Sequence, residues 1–160
     1  MNEKMKFSIK LLFQSILLGI SLCSWSIISS YLLSKLTEIS FGNHNSNNIN
    51  ADFKSFSLVV FIAPFLETLI FQWLIIYQTY ESCEKGHKKK LSIVLFSVLF
   101  GLSHFYNIYY LISAIGAGIL LATSFCHFRE KSSWLSAIFY VTLIHSFSNL
   151  LIFMMKFFSF

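Results

Sequence analysis

Long apolar runs separated by short polar segments make up most of this chain. A transmembrane helix needs about 20 mostly apolar residues, and five runs approach or exceed that length, over residues 11–33, 56–77, 91–106, 108–128 and 134–155. The segments between the first three runs, 37–54 and 78–90, are predicted to be loops. The pattern predicts an all-α fold, a polytopic membrane helical bundle of about five transmembrane helices.

Composition supports a membrane protein and narrows the choice of partners. Of the 160 residues, 56% are hydrophobic and 12% are charged, about half the charged fraction of an ordinary soluble domain. The length suits a single membrane-embedded domain over residues 1–160, with a motif-bearing core at 56–155. The net charge of +5 comes from short basic clusters between apolar runs. Such clusters orient membrane proteins, so we expect a lipid bilayer and no nucleic acid as partner.

The basic residues also predict the orientation of the chain. With the N-terminus inside, the inner segments hold nine Lys or Arg residues and the outer segments hold three, namely Lys35, Lys54 and Lys156. Because inner segments are enriched in Lys and Arg, this distribution predicts the N-terminus inside and the C-terminus outside. We expect a multi-pass protein of a cell membrane, and the short chain fits a bacterial plasma membrane.

Small residues are concentrated in the fourth apolar run. Five of the six positions from 113 to 118 are small, namely Ser113, Ala114, Gly116, Ala117 and Gly118. Small residues four apart let neighbouring helices approach closely. We interpret this stripe as packing within the bundle rather than as a surface for self-dimerisation.

Three of the apolar runs carry polar side chains that are costly in hydrocarbon. Glu67 lies in the second run, His104 in the third, and His145 with Asn149 in the fifth. Ionisable groups within a membrane ordinarily face a cavity or one another. We therefore predict that these four side chains meet around a shared pocket.

Pro64 predicts an irregular helix just before Glu67. A proline cannot donate a hydrogen bond to the carbonyl four residues earlier, here that of Val60, so the helix should kink or open a turn. Thr68 and Gln72 are four residues apart, and they are expected to share a helix face beside Glu67.

The same spacing of four relates two further pairs. Phe100 and His104 should share one helix face, and so should His145 and Asn149. Because polar side chains avoid lipid, His145 and Asn149 are both predicted to point toward the bundle interior.

These residue types suit hydrolysis. A carboxylate in a partly desolvated cavity can take a proton from water, and an adjacent imidazole can orient that water and pass a proton to a leaving amine. Asn149 and a second imidazole can donate hydrogen bonds to the oxyanion of a tetrahedral intermediate. The predicted function is an intramembrane endopeptidase that acts on a peptide or membrane-protein substrate.

A metal site is an alternative interpretation of the same residues. Two His and one Glu form a known catalytic zinc set, which here would be Glu67, His104 and His145. The helical H-E-x-x-H pattern is absent from the chain and gives this interpretation no support. The sequence requires no cofactor, and a divalent metal stays an alternative.

The ordered motifs resemble the CPBP family, which comprises CAAX prenyl proteases and bacteriocin-processing intramembrane endopeptidases. That family carries E-E-x-x-x-R, F-x-x-x-H and H-x-x-x-N or D on successive helices, and the matching segments here are 67–72, 100–104 and 145–149. The resemblance implies a helical bundle with its site inside the membrane. It implies that Glu67 is the general base, that His104 helps to position the water, and that His145 and Asn149 form the oxyanion site.

Two positions depart from that pattern, since Thr68 replaces the second Glu and Gln72 replaces the Arg. We predict that a neutral Thr68–Gln72 hydrogen bond replaces the ion pair. Losing both charges together leaves neither one uncompensated, so the fold should persist. Activity stays open, and the alternative is a non-catalytic family member that acts in bacteriocin immunity or regulation at the membrane. A small transporter or ion channel is a third interpretation.

Overall fold

The computed structural model describes residues 3–37, 53–75 and 86–158, and within these ranges it contains five helices and no strand. Helix α1 is Glu3–Thr37, α2 covers 53–75, α3 is Gly86–Ser103, α4 is Ile108–Lys131 and α5 is Trp134–Phe158. This architecture confirms the predicted all-α membrane bundle of about five helices. Most of the predicted loop 37–54, and residues 78–85 of the second predicted loop, lie outside the described residues.

Residues 86–90 correct the prediction of a loop that extends to position 90. They form the first turn of α3, because lysine is a good helix former and nothing in the run interrupts the helix. Lys89 of this turn forms an ion pair with Glu130 near the end of α4. The start of α3 and the end of α4 therefore lie at the same end of the bundle, which we call the basic end. The side of the membrane that this end faces stays a prediction.

Four of the described helices are long and apolar enough to cross a membrane, over Phe7–Leu33, Phe53–Trp73, Ile108–Lys131 and Trp134–Met155. Helix α3 is shorter than its predicted span of 91–106, because the chain leaves the helix after Ser103 and turns through residues 104–107 into α4. Its apolar part, 91–103, rises about 20 Å. The hydrocarbon core of a bilayer is about 30 Å thick.

Helix α4 is the centre of the bundle, since it packs against α1, α3 and α5. Several of its apolar side chains are fully buried in the core, including Leu121, Phe125 and Phe128. Within a bilayer this close packing, rather than removal of apolar surface from water, holds the helices together. Helix α2 packs against α3 and α5, which gives the three helices that bear the predicted site a common interface.

The small-residue stripe of α4 fits α3 on one side and α1 on the other. A Cβ atom added at Gly118 would lie 2.9 Å from the Cα atom of Ser97, and one added at Gly116 would lie 2.2 Å from the ring of Trp25. The Trp25 indole N–H donates to the Ser113 carbonyl over 2.9 Å. These contacts confirm the predicted role of the stripe in packing within the bundle.

Gly118→Ala is expected to lower the free energy of unfolding by about 1–3 kcal/mol. The added methyl group meets the backbone of Ser97, which can make room only if α3 and α4 separate. Thermal unfolding in detergent micelles measures the change. Thr123→Val is the matched control, because it places a new methyl group on an exposed position of the same helix, with an expected change within about 0.5 kcal/mol. Equal stability of Gly118→Ala and the wild type would contradict the packing described here.

Candidate active site

Helix α2 carries Glu67 on a single α-helical turn between two π-helical stretches. The helix runs as α over Phe53–Ser57, as π over Leu58–Ile62, as α over Ala63–Glu67 and as π over Thr68–Ile75. The backbone N–H of Ala63 donates to the carbonyl of Leu58, five residues earlier. The predicted opening before Glu67 is thus confirmed, and it takes the form of a widened register, a feature found frequently at functional sites.

The carboxylate of Glu67 lies between the two predicted imidazoles. Its Oε1 is 3.6 Å from His104 Nε2, and its Oε2 is 3.7 Å from His145 Nε2. The Glu67 and His104 side chains are each 24% exposed, and that of His145 is 10% exposed. Both separations exceed a direct hydrogen bond, so the three groups face one another in a partly accessible cluster without direct contact. The structure therefore brings together the acid of α2 and the histidines that follow α3 and lie on α5.

His104 lies in the turn that follows α3 rather than within the helix, which corrects its predicted placement. Its Nδ1 is 2.9 Å from the carbonyl oxygen of Phe100. Because a carbonyl only accepts, this bond places the proton of the neutral ring on Nδ1 and leaves a lone pair on Nε2, toward Glu67. The backbone at the end of α3 thus sets the orientation and the tautomer of His104.

Phe100 contacts both imidazoles. Its ring centroid is 4.4 Å from that of His104 and 6.0 Å from that of His145. Phe71 and Phe96 pack on its other sides, with centroids 5.7 Å and 5.9 Å from it. The predicted shared face of Phe100 and His104 is confirmed. The sequence pattern did not indicate Phe71 and Phe96, since isolated aromatic residues in apolar runs carry no specific signal.

Asn149 faces α2, and its predicted role as an oxyanion donor stays a prediction. Its Nδ2 donates a hydrogen bond to the backbone carbonyl of Val59 over 3.0 Å. Among the described contacts, Asn149 therefore joins α5 to the backbone of α2, whereas His145 approaches the Glu67 carboxylate. Val59 was missed by sequence reasoning, because a backbone acceptor leaves no mark in residue type.

Thr68 and Gln72 are both buried, with 1% of each residue exposed. Within the described residues, neither Thr68 Oγ1 nor Gln72 Oε1 has a hydrogen-bond partner. The predicted Thr68–Gln72 hydrogen bond is therefore wrong. Its geometry assumed an α-helix, and the π register over Thr68–Ile75 changes where a side chain four residues along the chain points.

Thr68→Glu is expected to lower the free energy of unfolding by about 3–5 kcal/mol, because it buries a second carboxylate without a partner. Thr68→Gln is the matched control, since it has the size of Glu without the charge and should cost less. Chemical or thermal unfolding in micelles measures both variants, and equal effects of Glu and Gln at position 68 would contradict the expectation.

The described residues contain no group of three His, Cys, Asp or Glu side chains arranged to hold a metal ion. The predicted alternative set, Glu67, His104 and His145, has its two imidazoles on opposite oxygens of the carboxylate. The steps proposed below use only protein side chains and water, and a divalent metal held by Glu67, His104 and His145 stays the alternative.

A comparison with protein-family models matches residues 50–151 to the type II CAAX prenyl endopeptidase Rce1-like family. The chain belongs to this family. The matched segment covers more than half of the chain and includes Glu67, His104, His145 and Asn149, so the resemblance inferred from the motifs is confirmed. Two further comparisons, with curated proteins and with solved structures, found no match.

Membership places the chain in a family of membrane proteases, in agreement with its four membrane-crossing helices. Such a family implies that the protein lies in a lipid bilayer and acts on peptide substrates. The match gives no support to a role in bacteriocin immunity.

Proposed function

We propose that this protein is an intramembrane endopeptidase that hydrolyses a peptide bond with a water molecule activated by Glu67. The observation that carries the proposal is the position of the Glu67 carboxylate between the Nε2 atoms of His104 and His145, at 3.6 Å and 3.7 Å. Helices α2 and α5 and the turn that follows α3 supply these groups, at a cost in hydrocarbon that a functional site justifies.

Glu67 and His104 act together on the water. Both the carboxylate oxygen and the Nε2 lone pair of His104 are acceptors, and a water molecule has two hydrogens to donate to them. Glu67 takes one proton as the water oxygen attacks the carbonyl carbon of the substrate. The proton then passes from Glu67 to the leaving amide nitrogen, the C–N bond breaks, and the products are a carboxylate and an amine.

His145 stabilises the oxyanion of the tetrahedral intermediate. Its Nε2 faces the Glu67 carboxylate, and its Nδ1 has no hydrogen-bond partner within the described residues. A carboxylate neighbour favours the tautomer that carries its proton on Nε2, and this N–H is the donor that an oxyanion needs. Asn149 is predicted to be the second donor; its amide nitrogen carries two N–H groups, of which one is directed at the Val59 carbonyl.

The substrate is a peptide or a membrane protein that reaches the pocket from the bilayer. The family is described by its action as a CAAX prenyl endopeptidase, so a prenylated CAAX peptide is the first substrate to offer. An unprenylated membrane-spanning peptide tests whether the protein also cleaves membrane-protein substrates without a prenyl group.

The proposal is tested by cleavage in liposomes that contain the purified protein, with products identified by mass spectrometry. We expect two fragments whose masses together equal the substrate plus one water, formed equally with and without a chelator. Loss of cleavage on chelation would overturn the metal-free mechanism. Absence of cleavage of both peptides would overturn the proposed activity and favour the non-catalytic alternative.

A further inference from the structure

Asn149 forms a link between α5 and the backbone of α2, close to the turn that carries Glu67. Its Nδ2 donates to the carbonyl of Val59, and the two residues are far apart in the chain. Helices α2 and α5 are also in contact before and after this hydrogen bond along their length. Phe56 packs edge-on against Phe153 at 5.4 Å on one side, and Glu67 approaches His145 on the other.

The carbonyl of Val59 needs this donor because of the proline. Over Leu58–Ile62 the helix is in the π register, in which the N–H of Ala63 donates to the carbonyl of Leu58. The next donor in that register would be residue 64, directed at Val59. Pro64 has no N–H, so no main-chain donor in this register reaches the Val59 carbonyl. An unsatisfied carbonyl within a membrane is costly, and the Asn149 amide satisfies it.

We propose that Asn149 is a positioning residue that stabilises the π turn at Val59 and thereby fixes the direction in which Glu67 points. This inference rests on the proposed function of Glu67 as the base. A π turn contains one residue more than an α turn. Its collapse to α would rotate every later residue of α2 by about 100° about the helix axis, since an α-helix has 3.6 residues per turn. Glu67 would then leave both imidazoles.

This role differs from that of an oxyanion donor in what it predicts about Pro64. An oxyanion donor acts on the substrate, so its removal costs the same whichever residue occupies position 64. A donor to the Val59 carbonyl matters only while position 64 lacks an N–H. Pro64→Ala supplies that N–H to the register in which Ala63 already donates, and should make Asn149 dispensable.

The test is a cycle of four proteins, the wild type, Asn149→Ala, Pro64→Ala and the double variant, with kcat, KM and the unfolding temperature measured for each in micelles or liposomes. With Pro64 present, Asn149→Ala should lower kcat by at least about 100-fold at constant KM, because even a small displacement of a catalytic group costs that much. In the Pro64→Ala background, the same substitution should lower kcat less than about fivefold. Asn149→Leu keeps a similar size but has no N–H, and it should match Asn149→Ala.

An equal loss of kcat on Asn149→Ala in both backgrounds would overturn the positioning role and support direct contact with the oxyanion. The unfolding temperatures form a second, independent cycle. Asn149→Ala should lower the unfolding temperature with Pro64 present and leave it nearly unchanged in the Pro64→Ala background. If the wild type cleaves no peptide, the proposed activity fails, and this second cycle alone decides whether Asn149 supports the Val59 carbonyl. Equal unfolding losses in both backgrounds would then overturn the inference.

Discussion

Glu67→Gln is expected to lower kcat for peptide cleavage by about 10⁴-fold, the upper end of what a general base contributes. Glutamine has nearly the shape of glutamate, so the pocket between His104 and His145 should persist. Its amide oxygen cannot take a proton from water at neutral pH, and hydrolysis then depends on unassisted water. Because Glu67 acts on the water rather than on the substrate, KM should change little.

Steady-state cleavage in liposomes at saturating substrate gives kcat directly. Glu130→Gln is the matched control, since Glu130 is an exposed carboxylate that pairs with Lys89 at the basic end. We expect this control to retain wild-type kcat. Cleavage by Glu67→Gln within tenfold of the wild type would remove Glu67 as the base.

His145→Phe should lower kcat by about 10²–10³-fold, the cost of losing one oxyanion donor. Phenylalanine fills a similar volume beside Phe100, so the change removes the N–H without opening a cavity. An interaction made only in the transition state lowers kcat and kcat/KM equally. The effect should therefore appear in both constants, with KM unchanged.

His127→Phe is the matched control for this substitution. His127 lies on α4, where its ring contacts Phe128, and it has no place in the proposed chemistry. His145→Gln should recover part of the lost activity, because its amide can donate a hydrogen bond. A rise in KM without a fall in kcat in His145→Phe would assign His145 to substrate binding instead of the transition state.

The sequence predicts the helices and the convergence of the site because both follow from simple rules. Apolar runs of membrane length define the bundle, and the cost of ionisable groups in hydrocarbon predicts that Glu67, His104 and His145 face one another. Predicting the membrane spans required no knowledge of the tertiary structure, and neither did predicting the close packing of small residues around Gly118.

The register of α2 could not be derived in the same way. Pro64 predicts that the helix opens, but it does not fix which carbonyl loses its donor. That carbonyl would be Val60 in an α-helix and is Val59 in the π register. The choice depends on Asn149, which is distant in the chain and reaches Val59 only in the folded bundle. The same register change explains why a Thr68–Gln72 bond, inferred from α-helical spacing, is not formed.

The short third helix has a consequence for how water reaches the base. Its first turn is fixed at the basic end by the Lys89–Glu130 pair, and its apolar part rises about 20 Å before the chain turns at residues 104–107. A bilayer about 30 Å thick must then thin, or admit solvent, over the remaining depth above that turn. Backbone outside a helix persists at such depth only where protein or a hydrated cavity surrounds it. Hydrophobic mismatch at one helix is thus expected to let water approach Glu67 from the end opposite Lys89, without a channel through the whole bundle.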